Sequence, residues 1–367
     1  MPSTTPPEPP VIATVEHGVG TLTLNRPKAI NALNHEMVGL ISTALTRWAA
    51  DPDVSTVVVT GAGERGLCAG GDILAIHRDA SDLEGAGDVA ATLSASAQFW
   101  RDEYRLNAAI ADYPKPYVAL MDGIVMGGGV GISGHGNTRV VTDRTRLAMP
   151  EVGIGLVPDV GGTRLLAQAP DELGTYAALT SVHLDGADAI ALGLADHYIP
   201  AANLPAFRQA IAEQSVREAL ARFAVAPPPS KLAAQREWIA EAFVADTVPA
   251  ILEACAQTGR PEADEAAATI ATKSPTALVV TLAALHAART EPHLRTALTR
   301  EYRTSIRCLQ HHDLAEGIRA QVIDKDRNPS WRPNSLDAVD AQESARFLAP
   351  LGDALDLTFE LQEAPLA

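Results

Sequence analysis

Hydrophobic positions along the chain recur with two different periods. Residues 11–15 and 20–24 are rich in apolar and β-branched side chains and flank the turn pair His17-Gly18, a pattern that predicts a hairpin of two short strands. From Met37 onward the period changes: Met37, Leu40, Ile41, Ala44, Leu45 and Trp48 fall on one face of a helix, with Asn34 placed to cap it and Asp51-Pro52 to end it. Residues 54–60, mostly β-branched and closed by Gly61, predict a buried strand. Residues 117–121 predict another, which runs straight into the glycine cluster 127–129, and residues 139–142 and 147–149 predict two more. Strands alternating with helices imply an α/β layer architecture. Past about residue 205 the strand signals fade into alanine-rich helical segments, broken by Pro227-Pro228-Pro229, so that part is expected to be an all-helical extension. The division read from the pattern is a tail over 1–10, a core over 11–205 and a helical region over 206–367.

Composition narrows the function classes. With 29 Lys+Arg against 45 Asp+Glu, the net charge of −16 repels a phosphate backbone, so nucleic acid is not an expected partner. The most apolar stretch, 118–133, is interrupted by Asp122 and is shorter than the roughly 20 residues a bilayer span needs, so no membrane partner is expected either. Cys68, Cys255 and Cys308 are scattered and form no Cys-x-x-Cys pair, which argues against a disulfide framework and a zinc site. Residues 1–10 are proline-rich and carry neither the apolar segment of a secretory signal nor the arginines of a transit peptide; they read as a disordered tail of a cytoplasmic protein.

Several motif readings fail on their chemistry. Gly61-x-Gly63-x-x-Gly66 and Gly129-x-Gly131-x-x-Gly134 have the spacing of a dinucleotide fingerprint, but glycines follow the first where a helix should open, and neither leads to a Walker lysine. Asp324-x-Asp326-x-Asn328 opens like a calcium loop, yet Pro329 replaces the required glycine and Ser335 the bidentate glutamate. Cys68 has no base implied beside it and reads as a buried thiol. No metal site is expected.

What remains is a constellation of two glycine turns, 69–72 (AGGD) and 127–129 (GGG), with Glu151 and Asp159 in a third segment. Exposed amides at such turns can stabilise an oxyanion, and nearby carboxylates can serve as nucleophile, base or acid. On pattern alone an equally available reading makes the glycines plain turns and Glu151 an acid at a helix start.

Residues 25–34 (NRPKAINALN), 68–73 (CAGGDI), 123–131 (GIVMGGGVG) and 149–151 (MPE) together resemble the crotonase (enoyl-CoA hydratase/isomerase) superfamily. The resemblance implies a crotonase-like spiral of ββα units and an acyl-CoA substrate whose thioester carbonyl is gripped by two amides, here Gly71 and Gly128. Gly70, Asp72, Gly127, Lys28 and Ala29 carry over as substrate-binding positions. Hydratases of the superfamily place one acid after the triple glycine, where this chain has Gly131, and a second at the position of Glu151. The missing acid weakens a hydratase reading. Asp159 in 157–162 (VPDVGG), residues 99–107 (FWRDEYRLN), 115–120 (KPYVAL) and the long C-terminal region with 272–278, Glu301-Tyr302-Arg303, 316–326 and Trp331 are similar to the 3-hydroxyisobutyryl-CoA hydrolase branch.

That branch implies hydrolysis of a short β-hydroxyacyl-CoA in valine catabolism, with Glu151 and Asp159 catalytic and Glu103 binding the substrate hydroxyl. It implies no cofactor besides the CoA of the substrate itself. Basic residues, Lys28 or Lys115 with arginines, are expected around the CoA phosphates, and self-association is common to the fold. The competing readings are an enoyl-CoA hydratase or isomerase, and a non-catalytic CoA-binding subunit.

Overall fold

The computed structural model describes residues 8–352 and 354–359; residues 1–7, most of the expected tail, lie outside the described residues. The adjoining Pro9 and Pro10 carbonyls accept hydrogen bonds from Asn25. Strands β1 (Val11–Glu16) and β2 (Val19–Leu24) form the predicted antiparallel hairpin. Helix α1 (His35–Ala50) starts where the pattern placed it: the Asn34 side chain accepts the Met37 amide at 2.9 Å, a standard N-cap. Its buried face carries Met37, Val38, Ile41, Ala44, Leu45 and Trp48; Leu40, which the periodicity had placed on that face, is exposed, and Val38 is buried instead.

The core is a spiral. Strands β3 (Thr56–Gly61), β5 (Tyr117–Met121) and β7 (Thr138–Val141) extend the hairpin as parallel neighbours, and β9 (His197–Tyr198) ends this six-stranded sheet. After a short bend each of β3, β5 and β7 continues into one strand of a second, parallel sheet: β4 (Gly66–Cys68), β6 (Ile124–Met126) and β8 (Arg146–Ala148). The expectation that residues 117–121 run straight into the glycine cluster is therefore corrected, because β6 intervenes. Three-residue strands such as β4 and β6 are too short to show a period and owe their existence to pairing with distant chain.

From Leu204 onward the described residues form helices and turns, with Val225 bridging back to Tyr198. One apolar cluster runs from Val11 to Leu357, so these helices share an interior with the spiral. They pack tightly against the turn that carries Glu151: a Cβ on Gly317 would run into the Ile154 carbonyl, and the Ser274 amide donates to the Val152 carbonyl at 3.3 Å. Among the described residues no single helix is long and apolar enough to cross a membrane. The acids of the calcium-like loop are taken up by Arg319, which bonds Asp324 at 2.6 Å and Asp326 at 2.7 Å.

Candidate active site

The three site motifs leave the C-terminal ends of three adjacent parallel strands. Residues 69–71 follow β4, Gly127 follows β6, and the turn of Glu151–Ile154 follows β8. Strand ends at one edge of a parallel sheet are a common place for a ligand crevice. Here they surround a cavity of about 370 Å³ that also draws Phe99, Glu103, Asp159 and Lys273 into its wall.

Both candidate oxyanion donors are free to serve. Leu33 brackets Gly71 in a parallel bridge, its amide donating to the Gly70 carbonyl and its carbonyl accepting from the Asp72 amide, each at 2.8 Å. That pairing uses the groups flanking Gly71 and leaves the Gly71 amide on the cavity side. Gly127 turns the chain with φ +45° and ψ −118°, a conformation glycine alone adopts easily, and opens the buried helix α4 (Gly128–Ser133), whose first amide is Gly128. Among the described residues neither the Gly71 nor the Gly128 amide donates to a protein acceptor. A Cβ on Gly128 would lie 2.5 Å from Glu103 Oε1 and 3.5 Å from the Gly71 nitrogen, so the two amides and the Glu103 carboxyl crowd one point.

Three acids line the same cavity. Glu103 lies on α3 (Ala95–Ala111), Glu151 follows β8, and Asp159 follows the Glu151 turn; all are buried. Glu151 Oε1 would lie 3.0 Å from a Cβ on Gly127. Glu103 Oε1 and Glu151 Oε2 have no hydrogen-bond partner among the described residues, whereas Asp159 accepts from the Tyr104 hydroxyl at 2.7 Å. Burial, and then the charge of Asp159, hold the Glu103 and Glu151 carboxyls well above the ordinary carboxylate range. Burial also raises Asp159, to about 6, against the pull of the Tyr104 hydrogen bond. Buried acids without partners cost stability, and such groups recur where a ligand completes them.

Gly131, the position where a hydratase acid is expected, has no room for one. A Cβ there would stand 2.7 Å from Val160 Cβ and 2.8 Å from Asn107 Nδ2. Cys68 is fully buried, its thiol pushed up to about 12 by desolvation, and it packs under α4 rather than facing the cavity as a nucleophile.

Of the positions carried over from sequence, Gly70, Gly71, Glu103, Gly127, Gly128, Glu151 and Asp159 line the cavity. Asp72 does not: it pairs with Arg26 at 2.9 Å and so fastens residues 25–34 to the Gly71 turn. Lys28 and Ala29 sit exposed on the short helix Pro27–Ala29, outside the cavity wall. Lys115, expected near CoA phosphates, donates instead to the Trp48 and Asp51 carbonyls and closes the end of α1. The basic residues that do line the cavity are His183 and Lys273, and Lys273 forms no ion pair among the described residues.

Sequence reasoning passed over Tyr104. Its signal was available: Trp100, Glu103, Tyr104 and Asn107 fall at i, i+3, i+4 and i+7, a buried helix face that carries an acid, a phenol and an amide.

The family model described as enoyl-CoA hydratase/isomerase matches residues 19–348. The mitochondrial 3-hydroxyisobutyryl-CoA hydrolase of Xenopus tropicalis is 40% identical over 346 residues, covering 91% of this chain and 87% of its own. The protein of the same name from Homo sapiens is 38% identical over 354 residues, covering 93% and 88%. Among solved structures, a carnitinyl-CoA dehydratase from Mycobacterium thermoresistibile superimposes with a TM-score of 0.90 at 52% identity, covering 96% of this chain and 99% of its own. An enoyl-CoA hydratase from Rhodobacter sphaeroides 2.4.1 gives 0.87 at 40% identity, covering 95% and 100%.

Proposed function

Because the chain belongs to the enoyl-CoA hydratase/isomerase family, we propose that it hydrolyses a short β-hydroxyacyl-CoA thioester, 3-hydroxyisobutyryl-CoA, to 3-hydroxyisobutyrate and CoA. The observation that carries this reading is the meeting of two free amides, Gly71 and Gly128, with the buried Glu151 carboxyl at one cavity wall. The relatives named for this hydrolysis cover most of the chain and support it.

In the proposed mechanism the thioester oxygen lies between the Gly71 and Gly128 amides. Glu151 first passes its proton to the Asp159 carboxylate and then attacks the carbonyl carbon; the carbonyl oxygen takes up negative charge, and the two amides stabilise it. Collapse expels the CoA thiolate, whose pKa of about 8.5 makes it a fair leaving group, and leaves a mixed anhydride on Glu151. Water then opens the anhydride and restores the Glu151 carboxylate. Asp159 positions that water, and Glu103, unpaired and buried beside Gly128, binds the 3-hydroxyl. CoA enters as part of the substrate, with Lys273 the proposed contact for its anionic portion. The step belongs to valine breakdown. The compartment proposed is the cytoplasm, in keeping with three buried free thiols, although the relatives named above are mitochondrial.

The hydratase reading has two solved structures with hydratase or dehydratase names in its favour. The crowding of Gly131 by Val160 and Asn107 counts against it, since no second acid fits there. Purified protein supplied with 3-hydroxyisobutyryl-CoA separates the two: release of free thiol supports the hydrolase, and an enoyl chromophore without thiol supports the hydratase.

A further inference from the structure

The Asp159 carboxylate is held from behind by the Tyr104 hydroxyl, which is itself backed by a side chain of a second helix. Tyr104 Oη donates to Asp159 Oδ2 at 2.7 Å and lies 3.1 Å from Ser305 Oγ on α7 (Leu294–Cys308). Tyr104 and Ser305 are fully buried. Beyond Asp159, Glu301 on the same helix accepts from the Gly161 amide at 2.6 Å, the Thr163 amide at 2.9 Å and the Thr163 hydroxyl at 2.5 Å. The loop carrying Asp159 is thus fixed by α7 at two points.

We propose that Tyr104 is a positioning residue that places the first negative charge of the buried acid cluster on Asp159 rather than on Glu103 or Glu151, and that Ser305 aligns the Tyr104 hydroxyl for this. The inference rests on the reading above only in taking Asp159 as part of the reactive site.

Several buried carboxyls that face one another resist being charged together, so the one with the best donor ionises first. The groups facing Asp159 are Glu103 and Tyr104 from α3, Glu151 from its turn, and Glu301 and Cys308 from α7. His135 bonds the neighbouring Val160 carbonyl, and burial keeps it neutral by lowering its pKa to about 4. None of these is a cation. The Tyr104 hydroxyl is the side-chain donor to Asp159, while Glu103 Oε1 and Glu151 Oε2 have no partner among the described residues. The ordering of the carboxyls agrees: Asp159 near 6, with Glu103 and Glu151 pushed well above the usual range by burial and by Asp159.

The test is a carboxyl titration by NMR on the full chain labelled with ¹³C at aspartate Cγ, the Asp159 signal being assigned by its loss in Asp159→Asn. Tyr104→Phe keeps the ring and removes the donor, and is expected to raise the Asp159 midpoint by about one to two pH units. Ser305→Ala, which leaves Tyr104 in place, is expected to raise it by less, and it carries the test by itself where the Phe variant fails to fold. An unchanged midpoint in folded Tyr104→Phe, or in Ser305→Ala where that variant alone folds, overturns the inference. A wild-type protein that shows the Tyr104-dependent shift but cleaves no thioester supports this inference while overturning the hydrolase reading.

Discussion

The Glu301 carboxylate accepts the Gly161 amide proton at 2.6 Å, a bond that spans 140 positions of sequence. It joins α7 to the loop of Asp159, so the C-terminal helices are part of the site's back wall and not an appendage to it.

Glu301 also sets a pH dependence of stability. Burial raises its carboxyl from 4.5 to about 7, so the folded chain binds this proton more tightly than the unfolded chain does. Its favourable contribution is complete below about pH 4.5 and is lost as pH rises through about 7; Asp159, raised from 3.8 to about 6, acts in the same direction. The urea midpoint is expected to be lower at about pH 8 than at about pH 5.5, and Glu301→Gln is expected to flatten that difference. Equal slopes for the two proteins would remove Glu301 from the account.

Glu151→Gln removes the proposed nucleophile while keeping nearly the same shape. A loss of kcat of about 10³-fold or more is expected, with far-UV circular dichroism unchanged. Single turnover in ¹⁸O-water extends the test. Label in the Glu151 carboxylate fits the anhydride, and label confined to the acid product fits direct attack by water.

Gly128→Ala brings a methyl within 2.5 Å of Glu103 Oε1 and displaces one oxyanion donor. The cost is expected in kcat, about 10² to 10³-fold, because the donor works mainly on the charge that develops during attack. A variant changed only in KM would mean that the Gly128 amide does not meet the reacting oxygen.

The unpaired Glu103 oxygen predicts selectivity for a hydroxylated acyl group. Isobutyryl-CoA, which lacks the 3-hydroxyl, is expected to fall at least about 10²-fold below 3-hydroxyisobutyryl-CoA in kcat/KM, since it leaves a buried polar group unmatched. Comparable values for the two thioesters would assign Glu103 some other task.

Much of the architecture was legible from short-range pattern. The hairpin, the Asn34-capped helix and the strands at 56–61 and 117–121 each carry a local signal, a period of two or of 3.6 residues or a β-branched run bounded by turn residues. Strands β4, β6 and β9 carry none, since two or three residues hold no period, and only pairing across the chain makes them strands. Lys115 shows the same limit in a side chain. Its charge was visible, but its engagement with the end of α1 depends on how the helix returns past it.

The sequence by itself determined the family motifs, the chemical identity of Glu103, Glu151 and Asp159, and the glycines that permit close backbone approach. Only the tertiary structure decided which of these meet, because adjacency at the ends of β4, β6 and β8 follows from sheet pairing between segments far apart in the chain. It also decided which acid has a donor. Tyr104 reaches Asp159 from one helix and Ser305 backs the Tyr104 hydroxyl from another, and the charge a buried carboxyl can hold depends on such neighbours rather than on its residue type.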